Sequence, residues 1–359
     1  MSDDSIIFYS DDYLKYDFGP EHPWQSSRYA LIMSTLRDLG VLDHRLTCES
    51  PEPVEERYLR LVHTRRYIDF VREMSRMGCG YLDAGDTPAT ETLFEGALAC
   101  TGGTVAAARA VAEGRCRHAL NPSGGFHHAM KDKASGFCIF NDLAIATRML
   151  QREHGIERIA IIDVDGHHGD GTQNILSDEP LLKISLHRYS PGFFPCTGGV
   201  GEMGQGAGKG YSVNVPLPAY TPDDLYLHAY HKIVGAALES YRPEIIIHQF
   251  GIDGHYTDPM VRLGLSSKAF EHLAECTHDY AHKFSDGRYV VTGGGGYNLD
   301  AVRRCWTIVA CAVSGSYPYD PEGMHHLQDS RVHHKFHVHR EDVERVIEQL
   351  EKEVLPLIH

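Results

Sequence analysis

The sequence predicts an α/β fold built on a mostly parallel sheet covered on both faces. Three observations carry this. Short apolar runs alternate with helical stretches, most apolar runs end in a polar cluster rich in Gly, His and Asp, and no Pro/Ser-rich linker or low-complexity tract divides the 359 residues. Strands apolar on both faces belong to parallel sheets buried under helices. Polar clusters at strand ends gather loops at the carboxyl edge, where open α/β sheets place their sites. With 42% apolar residues the chain can bury a large core, and a single domain over 1–359 is expected.

The elements follow in order. "IIFYS" at 6–10 predicts a first strand, and "SSRYALIMSTLRDLG" at 26–40 an amphipathic helix closed by Gly40. Residues 51–76 hold two more helical pieces, and the Ala-rich stretch at 88–114 another. In that stretch the Gly102–Gly103 pair marks either close packing or a break between helices. Then a pattern repeats. "RHAL" (117–120) leads into "NPSGGFHHA", "RIAII" (158–162) into "DVDGHHGDG", and "LLKISL" (181–186) into "HRYSPGFFP". "EIIIHQ" (244–249) leads into "FGIDGHYTDPM" and "RYVVT" (288–292) into "GGGGYN". Helical patterns at 141–154, 223–240 and 267–284 lie between several of these strands. A His-rich segment at 324–340 reads as a solvated peripheral region, and 341–359 as a C-terminal helix docked on the body or on a partner subunit.

Charge and cysteine content narrow the class. The formal net charge of -15 argues against nucleic-acid and anionic-membrane partners and suits cationic ones, such as Lys-rich peptides or polyamines. The N-terminus lacks a signal-peptide pattern, no apolar run reaches membrane-spanning length, and the nine scattered cysteines form no CxxC pair. A cytoplasmic location with reduced thiols is expected.

The chemistry concentrates in "IAIIDVDGHHGDGTQNIL" at 159–176. Buried charges at a strand end are costly unless an ion compensates them. In an extended segment Asp165 and His167 leave one face, so both can ligate one ion, and Asp253, also placed after an apolar run, supplies a third ligand. Asp, His and Asp suit zinc, with a position left open. The competing reading makes Asp163 and Asp165 caps of the following helix. The adjacent His127 and His128 in "GGFHHA" are expected to diverge, and so to act as a base and an orienting partner rather than to chelate together. Tyr297, after four glycines that give a flexible or sharply turned approach, can donate to a developing oxyanion or can simply pack. Nucleotide sites fail. The glycine run lacks GxGxxG, and "GEMGQGAGKG" at 201–210 lacks the P-loop hydroxyl and reads as a mobile surface loop. Neither GxSxG nor HExxH occurs.

Together, "GGFHHA", "DVDGHHGDG", "SLHRYSPGFFPCTG", "GIDGHYTDPM" and "GGGGYN" resemble the histone deacetylase superfamily, and most closely its bacterial acetoin-utilisation branch. The likeness runs in order from about residue 6 to 310. It implies a three-layer arginase/deacetylase-like fold with an eight-stranded, mostly parallel sheet. It also implies zinc-dependent hydrolysis of acetyl-lysine. Zinc ligands are then Asp165, His167 and Asp253. His127 pairs with Asp163, His128 with Asp170, and Tyr297 serves the transition state. A structural potassium ion is implied at Asp163, Asp165, His167, Ser185 and Leu186. Gly136, Phe137 and Phe194 correspond to the acyl-lysine tunnel, Met260 to its floor and Asp86 to a rim aspartate. The implied partner is an acetylated protein or peptide, with an acetate-activating metabolic enzyme as one candidate; acetylpolyamine hydrolysis is the alternative. Departures are Gly166 between the ligands, Phe126 before the tandem histidines, and 254–257 before "DP". The DxHHGD run, unlike the DxHxD of the arginases, favours one catalytic metal.

Overall fold

The computed structural model describes residues 4–43, 45–330, 332 and 336–359. The strands are β1 (Ser5–Phe8), β2 (Leu46–Glu49), β3 (His118–Asn121), β4 (Ile159–Asp163), β5 (Leu182–Arg188), β6 (Ser212–Leu217), β7 (Ile245–Gln249) and β8 (Tyr289–Thr292). They form one sheet in the order β2-β1-β3-β8-β7-β4-β5-β6. Every pairing is parallel. The helices are α1 (Ser27–Asp38), α2 (Glu56–Leu59), α3 (Arg65–Met77), α4 (Leu93–Ala112), α5 (Asp142–His154) and α6 (Asp170–Ile175). They continue as α7 (Asp223–Tyr241), α8 (Ser267–Phe284), α9 (Leu299–Ser314), α10 (Pro321–Leu327) and α11 (Arg340–Glu353).

The strand sequences explain the layering. Ile245, Ile246 and Ile247 of β7 are all fully buried, yet they serve two cores. Ile246 packs with residues of α1, α7, α8, α9 and α11, whereas Ile245 and Ile247 join those of α3, α4 and α5. Alternation at period two thus feeds both faces of the sheet. Burying each isoleucine contributes about 2 kcal/mol.

The strand ends are polar and in register. Asn121, Thr292, Gln249, Asp163, Ser185 and Asn214 lie side by side across β3, β8, β7, β4, β5 and β6. All six are buried. Below this row the central strands are largely apolar; above it begin the loops singled out by the sequence.

Several expectations need correction. β2 and β6 were missed by the strand pattern. Of the two readings of Gly102–Gly103, close packing holds, and α4 runs through them unbroken. A Cβ at Gly102 would collide with the backbone at Glu52 and Val54, and one at Gly103 with the Tyr13 hydroxyl. The 201–210 loop is tied down: the Gln205 N–H donates to Ser177 O at 3.0 Å, and Gly208 is buried.

At the C-terminal end, α11 packs on α7 and β6. Within the His-rich segment, His325 and His326 belong to α10. Asp329 is anchored by His255 Nε2 at 3.0 Å, Arg304 Nη2 at 3.0 Å and the Ser267 N–H at 2.7 Å. The part of that segment at 331 and 333–335 lies outside the described residues. Among the described residues no helix is long and apolar enough to cross a membrane. All nine cysteines are unpaired.

Candidate active site

Asp163 closes β4 and starts a chain of turns. Its Oδ1 accepts from the Asp165 N–H at 3.1 Å, and Asp165 Oδ1 accepts from the His167 N–H at 3.0 Å. Each aspartate thus folds its own backbone two residues on. The 165–167 segment is therefore bent, not extended as expected. The capping alternative is not seen either: α6 begins after Gly169 with no side-chain cap.

Asp165 and His167 meet Asp253 from the β7 loop. His167 Nδ1 lies 2.9 Å from Asp253 Oδ2 and 3.3 Å from Asp165 Oδ1. The three ligand atoms fall within 4.8 Å of one another, and all three residues are buried. Their other oxygens are held by the protein. Asp165 Oδ2 accepts from Gln249 Nε2 at 2.9 Å and the Gly295 N–H at 2.7 Å; Asp253 Oδ1 accepts from the Gly166 N–H at 2.7 Å. Burial, then the neighbouring Asp165, pushes the Asp253 carboxyl up to about 8. Burial pulls His167 down, but its bonds to Asp165 and Asp253 outweigh this and hold it at about 10. Two carboxylates facing one imidazole out of reach of water fit a divalent cation, which would compensate both charges.

The tandem histidines stand beside this cluster. Their rings are 4.0 Å apart, so the side chains run together rather than diverging. Each is fixed through Nδ1: His127 to Asp163 Oδ2 at 2.7 Å, His128 to Asp170 Oδ1 at 2.7 Å. Burial lowers His127, yet Asp163 and then Asp165 prevail and raise it to about 9. His128 is pushed down to about 4, by burial and then by His127, against the pull of Asp170. With Nδ1–H donated to Asp170, neutral His128 keeps a lone pair on Nε2.

The glycine run before Tyr297 provides close approach. A Cβ at Gly295 would strike the Asp253 and Asp165 carboxylates, the second of which accepts from the Gly295 N–H. The Tyr297 N–H donates to Asp258 Oδ2 at 2.8 Å. Its ring meets Phe137 edge-on at 5.9 Å. Phe194 packs on His128 at 4.9 Å, and Gly136 lies against both rings, where a Cβ would clash. Met260 is partly buried against the apolar cluster that contains Phe137. Asp86 is joined to that wall. His22 Nε2 donates to its carbonyl at 3.0 Å, the His22 ring sits 4.5 Å from Phe137, and the Phe137 N–H donates to Thr87 Oγ1 at 3.3 Å. Beneath the site, Ser185 pairs with Asp163 in the strand register, and its hydroxyl meets His187 Nδ1 at 2.9 Å. The Leu186 carbonyl accepts from the Tyr226 hydroxyl at 3.2 Å.

Three supporting residues escaped the sequence reading. Asp142 Oδ2 accepts from the Gly125 N–H at 2.8 Å and Oδ1 from the Phe126 N–H at 2.7 Å, shaping the histidine loop. Arg28 is buried between the Trp24 and Tyr297 rings, at 4.1 and 5.9 Å. Phe193 stacks on His167 at 5.1 Å and 8°, and the Arg188 guanidinium lies over the Phe193 ring, 4.0 Å from its centroid. A lone Asp, Arg or Phe carries no local pattern; only the Asn-Asp pair at 141–142, before a helix, gave a usable hint.

A parallel sheet whose carboxyl edge brings together buried carboxylates, paired histidines and a tyrosine defines the arginase/deacetylase-like class. Residues 22–313 match the histone deacetylase domain, and the chain belongs to that family. It is similar to "Acetoin utilization protein AcuC" of Bacillus subtilis, 36% identical over 327 residues that span 88% of this chain and 83% of the relative. A "Probable deacetylase" of Archaeoglobus fulgidus is 36% identical over 299 residues, 82% of this chain and 81% of the relative. "Histone deacetylase 8" of Danio rerio is 33% identical over 303 residues, 80% and 76% of the two chains.

Proposed function

We propose that this protein hydrolyses the acetyl amide of acetyl-lysine side chains on proteins and releases acetate. Asp165, His167 and Asp253 would hold zinc; Asp163, Asp165, His167, Ser185 and Leu186 would hold a structural potassium ion. When bound, zinc polarises the substrate carbonyl and lowers the pKa of the attacking water. The observation that carries the reading is the convergence of the three buried ligand atoms with the Asp-paired histidines.

The chain's own groups take defined parts. His128, neutral and oriented by Asp170, accepts the water proton at Nε2 and later returns it to the departing lysine nitrogen. His127, kept protonated by Asp163, stabilises negative charge. The Tyr297 hydroxyl donates to the carbonyl oxygen as charge develops there. Phe137 and Phe194 flank the apolar lysine stem, Gly136 leaves room between them, and Met260 closes the floor. Asp86 accepts from the substrate backbone at the rim. The net charge of -15 favours a Lys-rich acetylated partner. The branch resemblance makes an acetate-activating enzyme in the cytoplasm the first substrate to try.

The test measures acetate release from an acetyl-lysine peptide and from acetylspermidine, with zinc quantified. Tyr297→Phe should lower kcat about 10²-fold or more while metal content is unchanged. Full activity in that variant, or in stripped protein, would overturn the mechanism. Faster turnover of acetylspermidine would move the substrate to the small-molecule class.

A further inference from the structure

We propose a second metal site, built from Cys276, His231 and His272 on the packed faces of α7 and α8, for a zinc-type divalent ion. His272 and Cys276 are four residues apart on α8 and so share a face, the spacing with which helices chelate zinc. His231 of α7 completes the set from the neighbouring helix. The ligand atoms of the three lie within 4.8 Å of one another.

The distances are near those of a coordination shell, with the two imidazoles closer together than an ion would hold them. His231 Nε2 and His272 Nε2 are 2.8 Å apart, and Cys276 Sγ lies 3.6 Å from His272 Nε2 and 3.9 Å from His231 Nε2. Tetrahedral zinc with ordinary Zn–N and Zn–S bonds separates nitrogens by about 3.4 Å and sulfur from nitrogen by about 3.5 Å. A small opening of the exposed His231 ring closes the difference. The Tyr280 hydroxyl lies 3.5 Å from His231 Nδ1, a nitrogen that Cys276 Sγ also approaches, at 3.8 Å. Two imidazoles and one thiolate select a borderline ion of the zinc class, with the solvent side open for water.

The charges agree. The Asp279 and Glu275 carboxylates lie close enough to act on Cys276. Those same carboxylates favour an incoming dication. Binding forms the metal–sulfur bond, releases the thiol proton to solvent and leaves one net positive charge at the centre. The bound ion would staple α7 to α8.

Cobalt(II) titration of the metal-free full-length chain tests this. Of the three groups of potential ligands among the described residues, only this one contains sulfur; the others are the candidate active site and His118, His278 and His282. Bound cobalt should therefore give a thiolate-to-metal charge-transfer band in the near ultraviolet. Cys276→Ser should abolish the band with the circular dichroism spectrum unchanged. His231→Ala, at an exposed position, should weaken the affinity read from it by about tenfold or more. A wild-type chain saturated with cobalt but lacking the band overturns the site, as does an equal band in Cys276→Ser. Should Cys276→Ser fail to fold, an unchanged titration of His231→Ala overturns it instead.

Discussion

His127 and His128 are neighbours in sequence with opposite electrostatic settings. Each is bonded to one aspartate at 2.7 Å, but only His127 also faces Asp165, with 3.8 Å between Nε2 and Oδ1. Against burial, Asp163 and then this second carboxylate hold His127 at about 9, while His128 falls to about 4 under burial and its charged neighbour. One ring is thus held charged and the other neutral. Asp170→Asn keeps the shape but weakens the orientation of His128. Acetate release should fall about 10²-fold in kcat with little change in KM; an unchanged kcat would show that Asp170 does not set the histidine. The grouping of Asp165 and His167 with Asp253 was legible in their places after apolar runs, whereas the aspartate partners of the two histidines came only with the family resemblance. The bend at 165–167 was not legible, because it depends on side chain to backbone bonds that any Asp can make.

At the scale of elements, α5 holds the histidine loop. Its N-cap Asn141 accepts from the Ala144 N–H at 2.9 Å and donates Nδ2 to the Ala129 carbonyl at 3.1 Å. Asp142 follows, fully buried, and takes the Thr104 hydroxyl at 2.5 Å in addition to two loop N–H groups. Asp142→Ala would strand both backbone donors in the interior, at a cost of about 3–5 kcal/mol. Thermal denaturation should show a melting temperature lowered by several degrees; an unaltered transition would mean that the loop holds without this anchor. The central strands were legible as unbroken apolar runs. β2 and β6 were not, because they form the two edges of the sheet. "LTCE" buries only its first residue fully, and "SVNVPL" carries Asn214 and Pro216, both out of keeping with a central strand.

Across the whole molecule, buried neutral histidines tie stability to pH. Burial pushes His63 and His128 down to about 4, and His118 and His248 to about 3. The bonding agrees for two of them: His63 Nε2 accepts from the Asn141 N–H at 3.0 Å, and His248 Nδ1 accepts from the Tyr289 hydroxyl at 2.7 Å. Their folded values lie below the ordinary value of about 6.5, so the unfolded chain binds more protons in between. The contribution of these four groups is therefore full above about pH 6.5 and is lost as pH falls toward 4, by about 3 kcal/mol for each group. Melting temperatures at constant ionic strength should drop progressively from pH 7 to 5; a flat profile would refute the account. The aligned polar row at the carboxyl edge has a consequence for how the chain can change. An extra residue inside β3, β4, β7 or β8 would advance its loop by about 3.3 Å and turn every later side chain to the opposite face. Tolerated insertions and deletions should therefore collect in the turns at the amino-terminal rim, and the lengths of these four strands should be fixed in any functioning relative.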